Sequence, residues 1–210
     1  MAFTHLKAVT VFGFADCKAG DKLYEDAREV SKLLAENGLE VVNGGGPGVM
    51  RASTDGAHEG GGTVQVATFY PKFIENFEGK DWDNKADKEV IMNNYVDRTM
   101  KLLELGDVYV IFNGGTGTLS ELGMAWGLAY LYFGHHKSFI LYGNFWYQIM
   151  EALVTNMQIA EARPDSLKVY RIATTPEEVL KYLEEFENER KNHQETHVVD
   201  DGSGEKAFMD

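Results

Sequence analysis

The sequence predicts an α/β fold, a single doubly wound, mostly parallel sheet with helices on both faces. Three observations predict it. Short apolar runs alternate with helical patterns almost throughout the 210 residues, the order that builds parallel sheets. Two glycine turns, Gly44–Gly48 and Gly114–Gly117, each follow an apolar run and open a helical pattern. No repeat or linker divides the chain, and its length suffices for one such domain with a full core.

The elements follow in order. Lys7 to Phe12 reads as a strand, with a loop from Gly13 to Gly20. Tyr24 to Asn37 has helical spacing and stops at Gly38, which fits a C′ glycine. Leu39 to Val42 is a second strand. A helix opens after the first glycine turn, with Pro47 suited to its first position, and runs to about His58. Thr63 to Thr68 is a third strand. Tyr70 to Glu89 is aromatic, charged and aperiodic, and reads as a loop or lid beside a site. Met92 to Leu105 is helical, Asp107 to Phe112 a fourth strand, and Leu119 to Tyr132 the helix after the second glycine turn. Ser138 to Tyr142 is a fifth strand, Phe145 to Ala160 a helix, and Leu167 to Ile172 a sixth strand. Thr175 with Glu178 forms a capping box for a last helix to about Asn192. The domain therefore spans 1–192, and 193–210 is expected to be a polar, disordered tail.

Composition narrows the function. A net charge of −13 argues against broad nucleic-acid binding, which needs a basic face, but leaves room for a small anion in one pocket. The single Cys17 excludes an internal disulfide and a cysteine-based zinc cluster. No apolar run approaches the roughly 20 residues that span a bilayer, and the N-terminus lacks a signal-peptide pattern. A cytoplasmic protein with no membrane partner is expected. His135-His136 and His193 with His197 read as solvated groups, so no metal site is expected.

The most informative stretch is Asn113-Gly114-Gly115-Thr116-Gly117-Thr118-Leu119-Ser120-Glu121. Glycines after a strand let the backbone curl and present N–H groups at a helix start. Such a start carries roughly half a positive charge and suits a phosphate. A carboxylate gains nothing from a phosphate, so Glu121 points to sugar contact or chemistry, or else it simply favours the helix dipole. Arg98, on the preceding helix, reads as a site residue or as a surface partner of Asp97 or Glu104. Asp16, in the first loop, is a polar site contact or a turn-capping carboxylate. The first strand ends in Gly13-Phe14-Ala15-Asp16, without the Gly-x-Gly-x-x-Gly spacing of dinucleotide binding, and no P-loop is present.

This constellation resembles the LOG family of cytokinin-activating nucleoside 5′-monophosphate phosphoribohydrolases, often labelled lysine decarboxylase-like. The family motif Pro-Gly-Gly-x-Gly-Thr-x-x-Glu is matched from Asn113 to Glu121. Gly44-Gly45-Gly46 through Met50 is similar to a second family segment, and Pro71 falls after the third strand as in the family. The resemblance covers about residues 7 to 185 and implies a Rossmann-like, nucleotide-binding domain. It implies Arg98 and Glu121 as catalytic residues. It implies Gly114, Gly115, Thr116, Gly117 and Thr118 as phosphate ligands, with Gly45, Gly46 and Asp16 as further nucleotide contacts. Three departures stand out: Asn113 for the motif's Pro, Thr99 for the family's Lys after Arg, and Phe14-Ala15 for a Ser-Ser-like first loop.

The implied activity is hydrolysis of the N-glycosidic bond of a nucleoside 5′-monophosphate, with no cofactor. The decarboxylase label would need a Lys bonded to pyridoxal phosphate, and neither glycine turn carries one. The alternative is a non-catalytic carrier like the molybdenum-cofactor carrier proteins that share this fold. The resemblance also implies a homodimer, or dimer of dimers, through the helices Met92–Leu105 and Leu119–Phe133. The second of these is apolar beyond the three or four of every seven positions that one buried face uses.

Overall fold

The computed structural model describes residues 3–71 and 80–197. Seven strands form one fully parallel sheet, and the fold is the doubly wound α/β arrangement that the alternation predicts. In chain order the elements are β1 (Ala8–Phe12), α1 (Lys22–Glu36), β2 (Glu40–Asn43), α2 (Val49–Glu59), β3 (Val64–Phe69) and β4 (Lys88–Met92). They continue as α3 (Tyr95–Leu105), β5 (Val108–Ile111), α4 (Thr116–Leu131), β6 (Phe139–Tyr142), α5 (Phe145–Asn156), α6 (Ile159–Ala162), β7 (Tyr170–Ala173) and α7 (Pro176–His197).

The strand order is β4-β3-β2-β1-β5-β6-β7. The chain lays down β1 to β4 toward one edge, then crosses back through α3 to place β5 beside β1, with Val9 opposite Val108 and Phe12 opposite Ile111. The direction reverses there, and a crevice opens beyond the strand ends at such a switch point.

Alternation along the buried strands feeds two cores. Val9, Val11, Val41, Val66, Val108 and Val110 pack under α1, α2 and α7. Phe12, Val42, Ala67, Tyr109, Ile111 and Leu141 pack under α3, α4 and α5.

Several boundaries differ from the sequence reading. Lys88–Met92 is a strand rather than loop and helix start. It is an edge strand with both faces largely open, so it lacks the buried apolar run that marks a central strand. Of the expected lid, 72–79 lie outside the described residues, and the stretch before β4 is irregular. Pro47 precedes the N-cap Gly48 instead of opening α2. Gly48 has φ +64, and a β-carbon there would strike the carbonyls of Phe14 and Ala15. The helix from Phe145 ends at Asn156, broken where Gln158 turns left-handed at φ 53. The last helix continues through residues 193–197 of the expected tail, and 198–210 lie outside the described residues. At its start half of the expected capping box forms, the Glu178 N–H donating to Thr175 Oγ1 at 3.3 Å. The Glu178 side chain accepts from Thr174 rather than from Thr175, at 2.6 Å from N and 2.8 Å from Oγ1.

Candidate active site

The cleft lies over the carboxyl ends of β2, β1 and β5 and encloses about 230 Å³. The loop after β1 forms one wall and the start of α4 another. Gly115 is the N-cap of α4, and no side chain caps this end. The first-turn N–H groups of a helix have no intrahelical acceptors, and here they border the cleft, at Thr116, Gly117 and Thr118. The helix begins three residues before the expected Leu119, because Thr116-Gly117-Thr118 carries no apolar period to announce it.

Arg98 and Glu121 meet in the floor. Arg98 lies one turn into α3, after an Asn94 cap whose side chain accepts from the Asp97 N–H. Its side chain runs under the sheet ends and is almost fully buried. Nε donates to the Ala67 carbonyl at 3.2 Å, Nη2 to the Gly44 carbonyl at 3.3 Å, and Nη1 to Glu121 Oε1 at 3.4 Å. Met50 Sδ lies 3.6 Å from Nη2. Three anchors on three elements hold the guanidinium in one orientation. The surface partners that its residue type suggested, Asp97 and Glu104, are not the ones it takes.

Glu121 projects from the second turn of α4 and is 7% exposed. Burial raises its pKa to about 7, against the opposing pull of the Arg98 charge and hydrogen bond. Near neutral pH the carboxyl therefore exchanges its proton readily, the property that a general acid–base group needs.

Of the other residues singled out in the sequence, Gly115, Thr116, Gly117 and Thr118 line the cleft. Gly114 is exposed and does not line it, and a β-carbon there would strike the Thr118 side chain. Gly45 and Gly46 are buried beside the wall, and it is Gly44 that faces the cleft. The Gly45 N–H donates to Asn43 Oδ1 at 2.8 Å and its carbonyl accepts from Asp81 N at 2.9 Å. Asn84 Nδ2 donates to the Gly46 carbonyl at 3.0 Å, and Thr54 Oγ1 to Asn84 Oδ1 at 2.7 Å. Asp16 is exposed on the first loop and does not line the cleft. Thr99, at the position of the family's Lys, is fully buried, and its hydroxyl has no partner among the described residues.

Sequence reasoning missed Tyr95, Phe14 and Met50, which complete the walls. The Tyr95 hydroxyl lies 3.0 Å from Ser120 Oγ, and its ring meets Phe69 edge-on. The spacing of Tyr95 and Arg98, three apart on one helix face, was the available signal. His136 stacks on Phe133, and no group of three or more metal-binding side chains occurs among the described residues. No helix among them is long and apolar enough to cross a membrane.

Comparison with known proteins adds the context of relatives. The family described as possible lysine decarboxylase matches residues 50–183. An uncharacterized protein of Archaeoglobus fulgidus is 34% identical over 121 residues, 57% of this chain and 74% of that protein. The cytokinin riboside 5′-monophosphate phosphoribohydrolase of Mycobacterium tuberculosis is 34% identical over 127 residues, 60% of this chain and 64% of that protein. Among solved structures, the molybdenum cofactor binding protein of Rippkaea orientalis superposes with a TM-score of 0.62 at 21% identity. That match covers 87% of this chain and 98% of that one, a likeness of fold.

Proposed function

We propose that this chain, which belongs to the LOG family of possible lysine decarboxylases, is a hydrolase that cleaves the N-glycosidic bond of a nucleoside 5′-monophosphate. The products are the free base and ribose 5-phosphate. One observation carries the reading: a buried carboxyl, Glu121, titrating near neutrality and held by Arg98, in the floor of a cleft that an uncapped helix start borders. A site that only grips phosphate has no use for a carboxylate.

The chemistry follows from the parts. The 5′-phosphate sits at the start of α4, against the N–H groups of Thr116 to Thr118 and the helix dipole. As the bond between C1′ and the base nitrogen breaks, its electron pair leaves with the base and positive charge builds on the ribose. Ionised Glu121 stabilises that charge and takes a proton from the water whose oxygen bonds C1′. The proton then passes to the departing base, which balances the reaction and returns Glu121 to its starting state. Arg98 keeps its charge throughout. Its fixed guanidinium holds the carboxylate in place and offsets the charge of the leaving group. The phosphate end and the floor both belong to this chain, and the reading places the reaction in the cytoplasm.

The carrier reading has in its favour the fold shared with the Rippkaea orientalis protein, which does not by itself call for the Arg98–Glu121 pair. A panel of nucleoside 5′-monophosphates and their nucleosides, followed by chromatography for free base and ribose 5-phosphate, separates the two. Base release from the monophosphates and not the nucleosides is expected. Comparable rates on adenosine and its monophosphate would count against the phosphate site. Tight binding of an intact pterin-type cofactor, with no nucleotide cleaved, would favour the carrier.

A further inference from the structure

The cleft has an apolar side that phosphate and ribose chemistry leave unexplained. Met50 and Ala15 line it, and Phe14 stands at its rim with 38% of its surface exposed. A large ring left exposed on a loop is usually mobile, but this one has a fixed backbone. The Phe14 N–H donates to the Asn113 carbonyl at 2.9 Å, and the Phe14 carbonyl accepts from Val49 N at 2.9 Å. The neighbouring Gly13 packs so closely on Val49 that a β-carbon there would lie 2.7 Å from the Val49 side chain. The loop is thus pinned between the first residue of α2 and the turn that precedes α4.

We propose that Phe14 is the platform on which the planar leaving base stacks, and that it makes the site selective for aromatic heterocyclic leaving groups. The inference rests on the hydrolase reading and deepens it. Three considerations support it. Phe14 lies between two parts of the cleft: its N–H is tied to the residue just before the glycine cradle, and its carbonyl to the residue just before Met50, which touches Arg98. The α4 start, Glu121 and Phe14 line the same cleft, so a ligand with its phosphate on the first and its glycosidic bond near the second has the Phe14 ring within the same wall to receive its base. The volume agrees, since about 230 Å³ is less than the 300 Å³ or more of sites that enclose a whole ligand. A cleft of this size leaves part of a nucleotide against its rim. Of the other aromatics that line the cleft, Tyr95 is already committed, its hydroxyl to Ser120 and its ring to Phe69, and Phe12 is buried with its ring against Tyr109.

A flat ring on an aromatic face is sequence-tolerant, because every base has a π-face. The platform therefore recognises aromatic bases as a class, and edge contacts elsewhere choose among them.

Calorimetric binding of adenosine 5′-monophosphate and ribose 5-phosphate tests this, in a Glu121→Gln background so that no turnover occurs. Phe14→Ala should weaken adenosine 5′-monophosphate roughly 5- to 100-fold and leave ribose 5-phosphate unchanged. Phe14→Trp should restore the nucleotide affinity, which separates stacking from a folding defect. Equal losses for both ligands, or none for the nucleotide, would overturn the platform and leave the hydrolase reading standing. So would a change in oligomer mass with no change in nucleotide affinity. Failure of the Glu121→Gln protein to bind either ligand would overturn both.

Discussion

The guanidinium of Arg98 occupies the space that a β-carbon on Gly44 would fill. Residues 54 positions apart are thus matched: the glycine turn after β2 leaves room for the arginine, and its carbonyl accepts from Nη2 at 3.3 Å. Gly44 has no left-handed φ, so its missing side chain serves space rather than backbone conformation. The turn that resembles a phosphate loop in sequence works in part as a socket for the residue that aligns Glu121.

That relationship makes Gly44→Ala a test of Arg98 without touching its charge. The added methyl would drive the guanidinium off its three anchors and away from Glu121. Base release should fall about 100-fold or more, the typical loss for a misplaced electrostatic group. Circular dichroism should stay that of the parent, because the atoms nearest the added methyl are side-chain atoms, the Arg98 guanidinium and Met50 Sδ, and not backbone. Full activity in Gly44→Ala would mean that the fixed position of Arg98 is irrelevant to turnover.

The pH profile follows from Glu121. Burial lifts its pKa to about 7, so the carboxylate that the reaction uses is lost as pH falls through neutrality. The rate should rise tenfold per pH unit below about 7 and level off above it. The 5′-phosphate also titrates, near pH 6, so its binding must be followed separately with ribose 5-phosphate. Glu121→Gln should remove both the activity, by about 100-fold or more, and the limb near 7. A rate independent of pH from 5 to 9 would exclude Glu121 from the proton-handling role.

How much of this was legible in the sequence depends on the range of the signal. The strands β1, β2, β3, β5 and β6 announced themselves as apolar runs bounded by glycine, because central parallel strands are buried on both faces. Lys88–Met92 did not, because an edge strand open to solvent carries no such run. Arg98 and Glu121 were found through a spaced motif, and their contact, across 23 positions, needed only that α3 and α4 flank β5. The burial of Gly45 and Gly46 was not legible. It depends on Asn43, Thr54 and Asn84, three ordinary polar residues brought together only by the fold. Phe14 looked like a departure from a family loop, and only its exposure on the cleft rim gives it a role.

Glu187 fixes the start of the chain and should govern acid stability. It accepts from Thr4 N and Oγ1, each at 2.7 Å, from His5 N at 2.9 Å and from Leu6 N at 2.8 Å. Burial pushes its pKa up, but these hydrogen bonds outweigh burial and draw it down to about 2. An unfolded Glu titrates near 4.3. The stabilisation is therefore complete above that value and is lost as pH falls toward about 2. Glu187→Gln should lower the melting temperature at pH 7 by roughly 2–10 °C, with a clearly smaller difference at pH 3. An equal loss at both pH values would show that the charge of Glu187 contributes nothing.

The open face of α4 predicts assembly. Leu119 and Leu131 are 51% and 69% exposed, and Gly123 and Gly127 lie between them at four-residue spacing on the same face. Nothing lies within 4 Å of a β-carbon built on either glycine, so this chain itself leaves the stripe uncovered. Tyr132 and Phe133, both partly exposed, extend the apolar surface past the helix end. Glycines let a helix backbone approach a neighbour closely while the flanking leucines interlock. A two-fold pairing of α4 with its copy uses each stripe against itself, as an isologous interface requires. We therefore expect a homodimer through α4, with twice the 23.5 kDa chain mass by light scattering at micromolar concentration. Gly127→Arg should shift the mass toward the single chain and leave the monomer folded, because the added side chain meets only open space in one copy. A 23.5 kDa species from the unaltered chain would refute the dimer, and a Gly127→Arg dimer of undiminished stability would move the interface away from α4.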